Sequence, residues 1–164
     1  MGRAHGSSMP TSPRSTAGPS SVYWAGDVPL WFDLAREFTE RWVHYQQIRE
    51  AVRPAGRDPS PDENLPLVLR TFIWGFPHQY QAPAPDGTAI ALEIPGIGGW
   101  ALTRTPAGWS LDEGLPPAPA TRLRMDGDAA WRLLTGARYD PRQVQISGDA
   151  ALGQPLLRVR GIIV

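Results

Sequence analysis

The chain contains no cysteine. That excludes disulfides, thiolate metal sites and any protein-borne thiol nucleophile, so sulfur chemistry here would need a borrowed thiol. Lysine is absent as well, and all sixteen basic residues are arginine, a bias that reads as the coding habit of a GC-rich genome. Charge of either sign is not in excess: sixteen basic residues meet sixteen acidic ones, and the pI is near 6.8. Nothing therefore favours nucleic acid or an anionic membrane as a partner. No run approaches the roughly 20 apolar residues of a membrane span, and the N-terminus lacks the apolar stretch of a secretory signal. The expectation is a soluble, cytoplasmic protein of 164 residues, long enough for one ordinary domain or a small domain plus part of another.

Apolar residues are scarce in residues 1–23, which are rich in Gly, Ser, Pro and Arg. Such a segment cannot bury enough surface to offset the entropy of ordering. It is expected to be disordered, with His5 incidental.

What the chain does have is a strong helical pattern from about Pro29 to Val52, with Asp27 placed to cap it, Pro29 in its first turn, and Pro54 and Gly56 beyond its end. At 100° per residue Trp31, Leu34, Phe38, Trp42, Tyr45, Ile48 and Val52 form one apolar stripe, expected to be packed. Glu37, Glu40, His44 and Gln47 lie on another face. Glu40 and His44, four residues apart, stand roughly 5–6 Å from one another on a helix. They have the spacing to share a metal ion, although a catalytic zinc generally takes three protein ligands. Spacing alone is equally that of a solvated surface pair.

A linker rich in Pro and charge follows from Arg53 to Leu65, then a shorter helical stretch from Leu67 to Phe76 that ends at Pro77. His78 just beyond reads as a residue of the helix terminus more than as a ligand. Thr88–Ile94, Trp100–Arg104 and Gly108–Asp112 are short, partly alternating and separated by Gly and Pro, as in an antiparallel meander. Thr121–Met125 reads as a fourth strand. Asp126 caps a helix that Gly136 ends, Gln143–Ser147 reads as another strand, and Asp149 opens a last helix. Strands followed by helices make an α+β pattern. The remaining tryptophans, Trp100, Trp109 and Trp131, fall in regular elements and are expected to be mainly core.

The order of these features resembles the mycothiol-dependent maleylpyruvate isomerase family of actinobacteria. The features that carry the resemblance are the Glu40-Arg41-Trp42-Val43-His44 helix, the Pro-rich linker, the meander, Trp131-Arg132-Leu133-Leu134-Thr135-Gly136, and Ile146-Ser147-Gly148-Asp149-Ala150-Ala151-Leu152-Gly153. Members pair a four-helix metal-binding domain of the DinB type with a C-terminal domain similar to sterol carrier proteins. The resemblance implies an α+β chain with three parts. Residues 1–23 are a disordered segment, residues 24–56 are the last helix of a DinB-like bundle, and residues 57–164 are a sterol-carrier-like domain with a mainly antiparallel sheet. The early helices have no counterpart in residues 1–23, so the implied member is N-terminally truncated.

Carried over by position, Glu40 and His44 match two of the family's three zinc ligands, and Arg138, after Thr135-Gly136, is the candidate to meet a carboxylate of substrate or thiol cofactor. The implied cofactors are zinc and mycothiol. The implied chemistry is thiol-dependent isomerisation or transfer: a thiolate adds to a conjugated double bond, the resulting single bond rotates, and the thiolate leaves. The competing expectation is a non-catalytic module for small apolar ligands or for protein interaction. A third is the truncated product of a gene for the full enzyme. Under each, the apolar stripe of the first helix lacks bundle partners and is expected to pack on the C-terminal domain or to drive formation of a homo-oligomer.

Overall fold

The computed structural model describes residues 17–19, 27–52 and 62–161. Two short strands, β1 (Ala17–Pro19) and β2 (Asp27–Pro29), pair antiparallel ahead of a 23-residue helix α1 (Leu30–Val52). The ribbon begins inside the segment expected to be disordered; the rest of that segment, His5 included, lies outside the described residues. Pro29 immediately precedes the helix instead of sitting in its first turn, and Asp27 belongs to β2. The linker residues 53–61, with Pro54 and Gly56, are also outside the described residues.

The single helix expected over Leu67–Phe76 is two, α2 (Leu65–Ile73) and the one-turn α3 (Phe76–Gln79), divided at Trp74-Gly75. Then come β3 (Ala89–Ile94), β4 (Gly98–Thr105), β5 (Gly108–Glu113) and β6 (Thr121–Met125). They are followed by α4 (Gly127–Thr135), a 3-10 turn (Pro141–Gln143), β7 (Val144–Gly148) and α5 (Ala150–Leu156). Two of the three helix starts read from an aspartate are realised, Asp27 being the exception: Asp126 accepts from the Ala129 amide and Asp149 from the Ala151 amide, both at 2.8 Å. Gly136 ends α4 with φ +72°, a left-handed conformation that suits glycine at a helix C-terminus.

The five-stranded sheet has the order β5-β4-β3-β6-β7. The meander β3-β4-β5 is antiparallel, as is β6 with β7, but β6 returns beside β3 in parallel. The architecture is α+β with a mainly antiparallel sheet. Period-two alternation sends Ile90, Leu92, Ile94, Trp100, Leu102, Leu123 and Met125 to one face, all buried. The opposite face carries Glu93 between Arg122 and Arg124, at 2.8 and 3.2 Å. Val68, Leu69, Phe72, Ile73, Phe76, Ala130, Leu133, Leu134 and Leu156 join the buried face in one hydrophobic core.

The long helix is the element whose orientation differs from expectation. It packs on α2 with Phe32, Thr39, Trp42, Val43 and Gln46 inward. Of the predicted stripe only Trp42 is buried; Trp31, Leu34, Phe38, Tyr45, Ile48 and Val52 face outward. The inward face is half polar, and each polar group on it has a partner. Thr39 Oγ1 donates to the Arg36 carbonyl at 2.7 Å, while Trp42 Nε1 and Gln46 Nε2 donate to Asp62 Oδ2 at 2.9 and 2.6 Å. The Trp42 indole also meets Trp131 of α4 edge to face, with centroids 5.7 Å apart, a preferred geometry for the ring quadrupoles. Hydropathy overlooks such a face because its polar groups are satisfied only after folding. Trp31, expected in the core, is instead half-exposed and meets the buried Phe32 and the half-exposed Trp74 edge to face.

Asp62 thus clamps α1 to the start of α2, its other oxygen accepting from the Asn64 amide at 2.9 Å. Replacing it by alanine leaves the Trp42 and Gln46 donors without their acceptor, at a cost of about 1–3 kcal/mol. Asp62→Ala is expected to lower the unfolding midpoint by that amount in denaturant titration and to shift the Trp42 fluorescence to the red. An unchanged midpoint would remove the clamp from the account.

Candidate functional site

Glu40 and His44 project from α1 away from both the inward face and the apolar stripe. Glu40 Oε2 lies 3.4 Å from Arg36 Nη1, and the Nδ1 of the exposed His44 lies 3.1 Å from Gln47 Oε1. Arg36 also pairs with Glu37. The two candidate ligands therefore share a helix face, as the spacing implied. Among the described residues no group of three or more His, Asp or Glu is placed to hold a metal ion, so a third ligand would have to come from elsewhere.

Arg138 is exposed on the turn after α4, and its carbonyl accepts from Arg132 Nη1 at 3.5 Å. Arg132, which the sequence reading passed over, is the more engaged arginine. Its guanidinium lies 4.6 Å from the centre of the Trp131 ring, donates through Nε to Asp128 Oδ2 at 2.8 Å, and pairs with Glu50 of α1. Partial burial works against its charge, but hydrogen bonds to Glu50 and Asp128 outweigh burial and hold the guanidinium above its usual range. Asp128 also accepts from Trp131 Nε1 at 2.9 Å. The Asp128-to-Arg132 spacing of one helical turn was the available signal. The cluster fastens α1 to α4.

His78 sits in α3, with its pKa lowered by partial burial. It is brought together with neither Glu40 nor His44 in a metal-capable group.

A recess of about 230 Å³ opens between the 3-10 turn, β7 and α5. Val144, Ile146, Leu157, Pro141, Tyr139 and Gln154 line it. Four of these are aliphatic, and Gln154 and the phenol of Tyr139 supply the polar character. At the neighbouring Gly153 even a Cβ would come within 2.3 Å of Ile146 Cγ2, so glycine lets α5 lie directly on β7. Beneath α5, the buried Tyr80 donates its hydroxyl to the Leu152 carbonyl at 2.7 Å and packs edge-on against Trp109, with centroids 4.8 Å apart. Burial and the nearby Asp149 carboxylate push the Tyr80 phenol up to about 12. No residue of the recess was singled out in the sequence; the alternation of Val144 and Ile146 was its one visible trace.

The sequence matches no family model and no curated protein. Solved structures do show similarity. The ubiquinone synthesis protein UbiJ-SCP2 is 14% identical, aligning over 56% of this chain and 91% of its own, with a TM-score of 0.39. Sterol Carrier Protein 2 Like 2 from Aedes aegypti is 15% identical over 56% of this chain and 94% of its own, with a TM-score of 0.39. The sterol carrier protein domain 2 of Helicoverpa armigera is 10% identical over 60% of this chain and 89% of its own, again with a TM-score of 0.39. At that score the similarity is one of general architecture, and no ligand or activity follows from it.

The raised Tyr80 pKa has a signed consequence. Below pH 10 the phenol is protonated in both states. Above it the unfolded chain loses the proton first, so the stability that Tyr80 contributes declines as pH rises from 10 through about 12. Unfolding titrations are expected to show a steeper loss over that window in the native chain than in Tyr80→Phe. Removing the hydroxyl should itself cost about 1–3 kcal/mol at neutral pH, because the Leu152 carbonyl loses its donor. Parallel pH profiles for the two proteins would count against a buried, protonated phenol.

Proposed function

We propose that this chain is a non-catalytic binding module of sterol-carrier-like architecture that takes a small apolar molecule in the recess between α5, β7 and the 3-10 turn. The observation that carries this reading is the lining: aliphatic side chains from three elements around about 230 Å³, with Gln154 and Tyr139 to orient a polar end. That volume lies between the roughly 150 Å³ cavity that accommodates benzene and the roughly 300 Å³ at which drug-sized pockets begin. The ligand class is therefore a short hydrocarbon chain or single ring with one polar terminus.

Titration with 1-hexanol, followed by amide and methyl NMR, should move the signals of Val144, Ile146 and Leu157 with sub-millimolar to millimolar affinity. Ile146→Trp, which fills the recess, should abolish the response. Shifts confined to other parts of the chain would overturn the assignment.

The zinc and mycothiol chemistry implied by the resemblance asks for more than the described residues bring together. Glu40 and His44 supply two donors where a catalytic zinc generally uses three protein groups. A third donor would have to come from outside the groups that the described residues bring together, and Arg138 stands exposed. Elemental analysis of the purified chain is expected to give zinc well below one per chain, unchanged in His44→Ala. Zinc near one per chain that disappears in His44→Ala would replace the binding-module reading with a metal-dependent one, in which isomerase or transferase assays with a thiol are the next step.

A further inference from the structure

Helix α1 is apolar on two sides. Its inward face is used by α2 and α4, yet about 130° further round it carries a second stripe: Trp31, Leu34, Phe38, Tyr45, Ile48 and Val52, from 38% exposed at Phe38 to 74% at Val52. The steps between them alternate three and four residues, with Arg41 at the one position that breaks the series. That is the spacing of a coiled-coil seam, in which alternating steps keep every side chain on the line facing a partner helix. Scattered exposed apolar residues need no explanation, but a continuous stripe of this length marks an interface.

We propose that the occupant of this stripe is the same stripe of a second copy of the chain, with the two helices antiparallel. In this register Trp31 faces the partner's Ile48, Leu34 faces the partner's Tyr45, and Phe38 faces the partner's Arg41. The charges select this arrangement. In a parallel, in-register pair each Arg41 would face the partner's Arg41 in one core layer, setting like charges together in a drying interface. In the antiparallel register Arg41 lays its aliphatic stem on Phe38 and brings its guanidinium beside the partner's Glu37. Glu37 and His44, which flank the stripe on one side, then stand opposite one another across it. Glu37 already pairs with Arg36 of its own chain, and a carboxylate has acceptor sites for both arginines.

The area is sufficient. With an aromatic side chain offering about 150–250 Å², the exposed portions amount to roughly 500–600 Å² of apolar surface per protomer. Two such faces with their flanking charges reach the roughly 1,200 Å² at which specific interfaces begin. The complex is a reversible dimer, and it is independent of the α5 recess.

Sedimentation of the full chain from micromolar to sub-millimolar concentration tests this. A concentration-dependent dimer is expected, with Leu34→Glu or Ile48→Glu raising its Kd at least about 100-fold; both side chains are already exposed, so unchanged circular dichroism and thermal unfolding would separate lost association from misfolding. Orientation is read from oxidative cross-linking, for which the cysteine-free chain supplies a clean background. A mixture of Glu37→Cys and His44→Cys should cross-link as the mixed pair and neither variant with itself. A chain that stays monomeric throughout, a dimer indifferent to Leu34→Glu and Ile48→Glu, or self-cross-linking of Glu37→Cys would each overturn the proposal.

Discussion

The acceptor that Asp62 offers to Trp42 and Gln46 decides how the rest of the molecule presents itself. A helix with two candidate apolar faces has no preferred rotation until something distinguishes them. Area favours the stripe from Trp31 to Val52, with its three aromatic rings and three aliphatic side chains. Polar satisfaction favours the other face, because the indole and amide groups at Trp42 and Gln46 find their acceptor only there. On the observed face those donors meet Asp62 and the Trp42 ring meets Trp131, and these contacts fix the rotation of the helix. Arg132, between Glu50 and Asp128, repeats the same logic on α4, so two polar anchors and one aromatic contact hold α1 in place.

Beneath this outer helix the domain is organised by ordinary alternation. The buried face of the sheet is nearly unbroken in β3, β4 and β6. The opposite face collects Glu93, Arg122 and Arg124 across neighbouring strands, where cross-strand pairing of opposite charges is favourable. The helices that cover the buried face are short; α4 and α5 are started by aspartates, and α5 is brought into van der Waals range of β7 by Gly153. The recess exists because α5 is brief and the 3-10 turn leaves the end of β7 only partly covered. The geometry that defines a candidate binding site is thus a by-product of the end of α5 at Leu157 and of the 3-10 turn ahead of β7.

Much of this was legible beforehand where local chemistry is decisive. Asp126 and Asp149 announce helix starts because their carboxylates have one favourable use there, and Gly136 announces a stop because few residues other than glycine take its conformation at low cost. Thr121–Met125 was readable to the residue for its strict alternation. The division of α2 from α3 was not, since Trp74-Gly75 carries no breaker stronger than a single glycine. The inward face of α1 was illegible for a deeper reason: Gln46 looks like a surface residue until Asp62, sixteen positions away, is brought to it, and Thr39 until its hydroxyl turns back on the Arg36 carbonyl. For the candidate site, Glu40 and His44 were found together where spacing placed them. The recess was missed because it is made of unremarkable aliphatic residues whose convergence depends on α5 folding back onto β7.

The position of α1 ahead of the sheet in the chain has a consequence for biosynthesis. Translation delivers residues 30–52 before any of the 62–161 segment against which the inward face closes. At about 5–20 residues per second the helix therefore waits about 1–4 s for α2 and about 4–17 s for α4. During that interval on the ribosome the outer stripe is as available to a neighbouring nascent chain as to a finished one, and the inward face is still incompletely covered. The element that ends as the outermost layer of the molecule is the one most exposed to error while the molecule is being made.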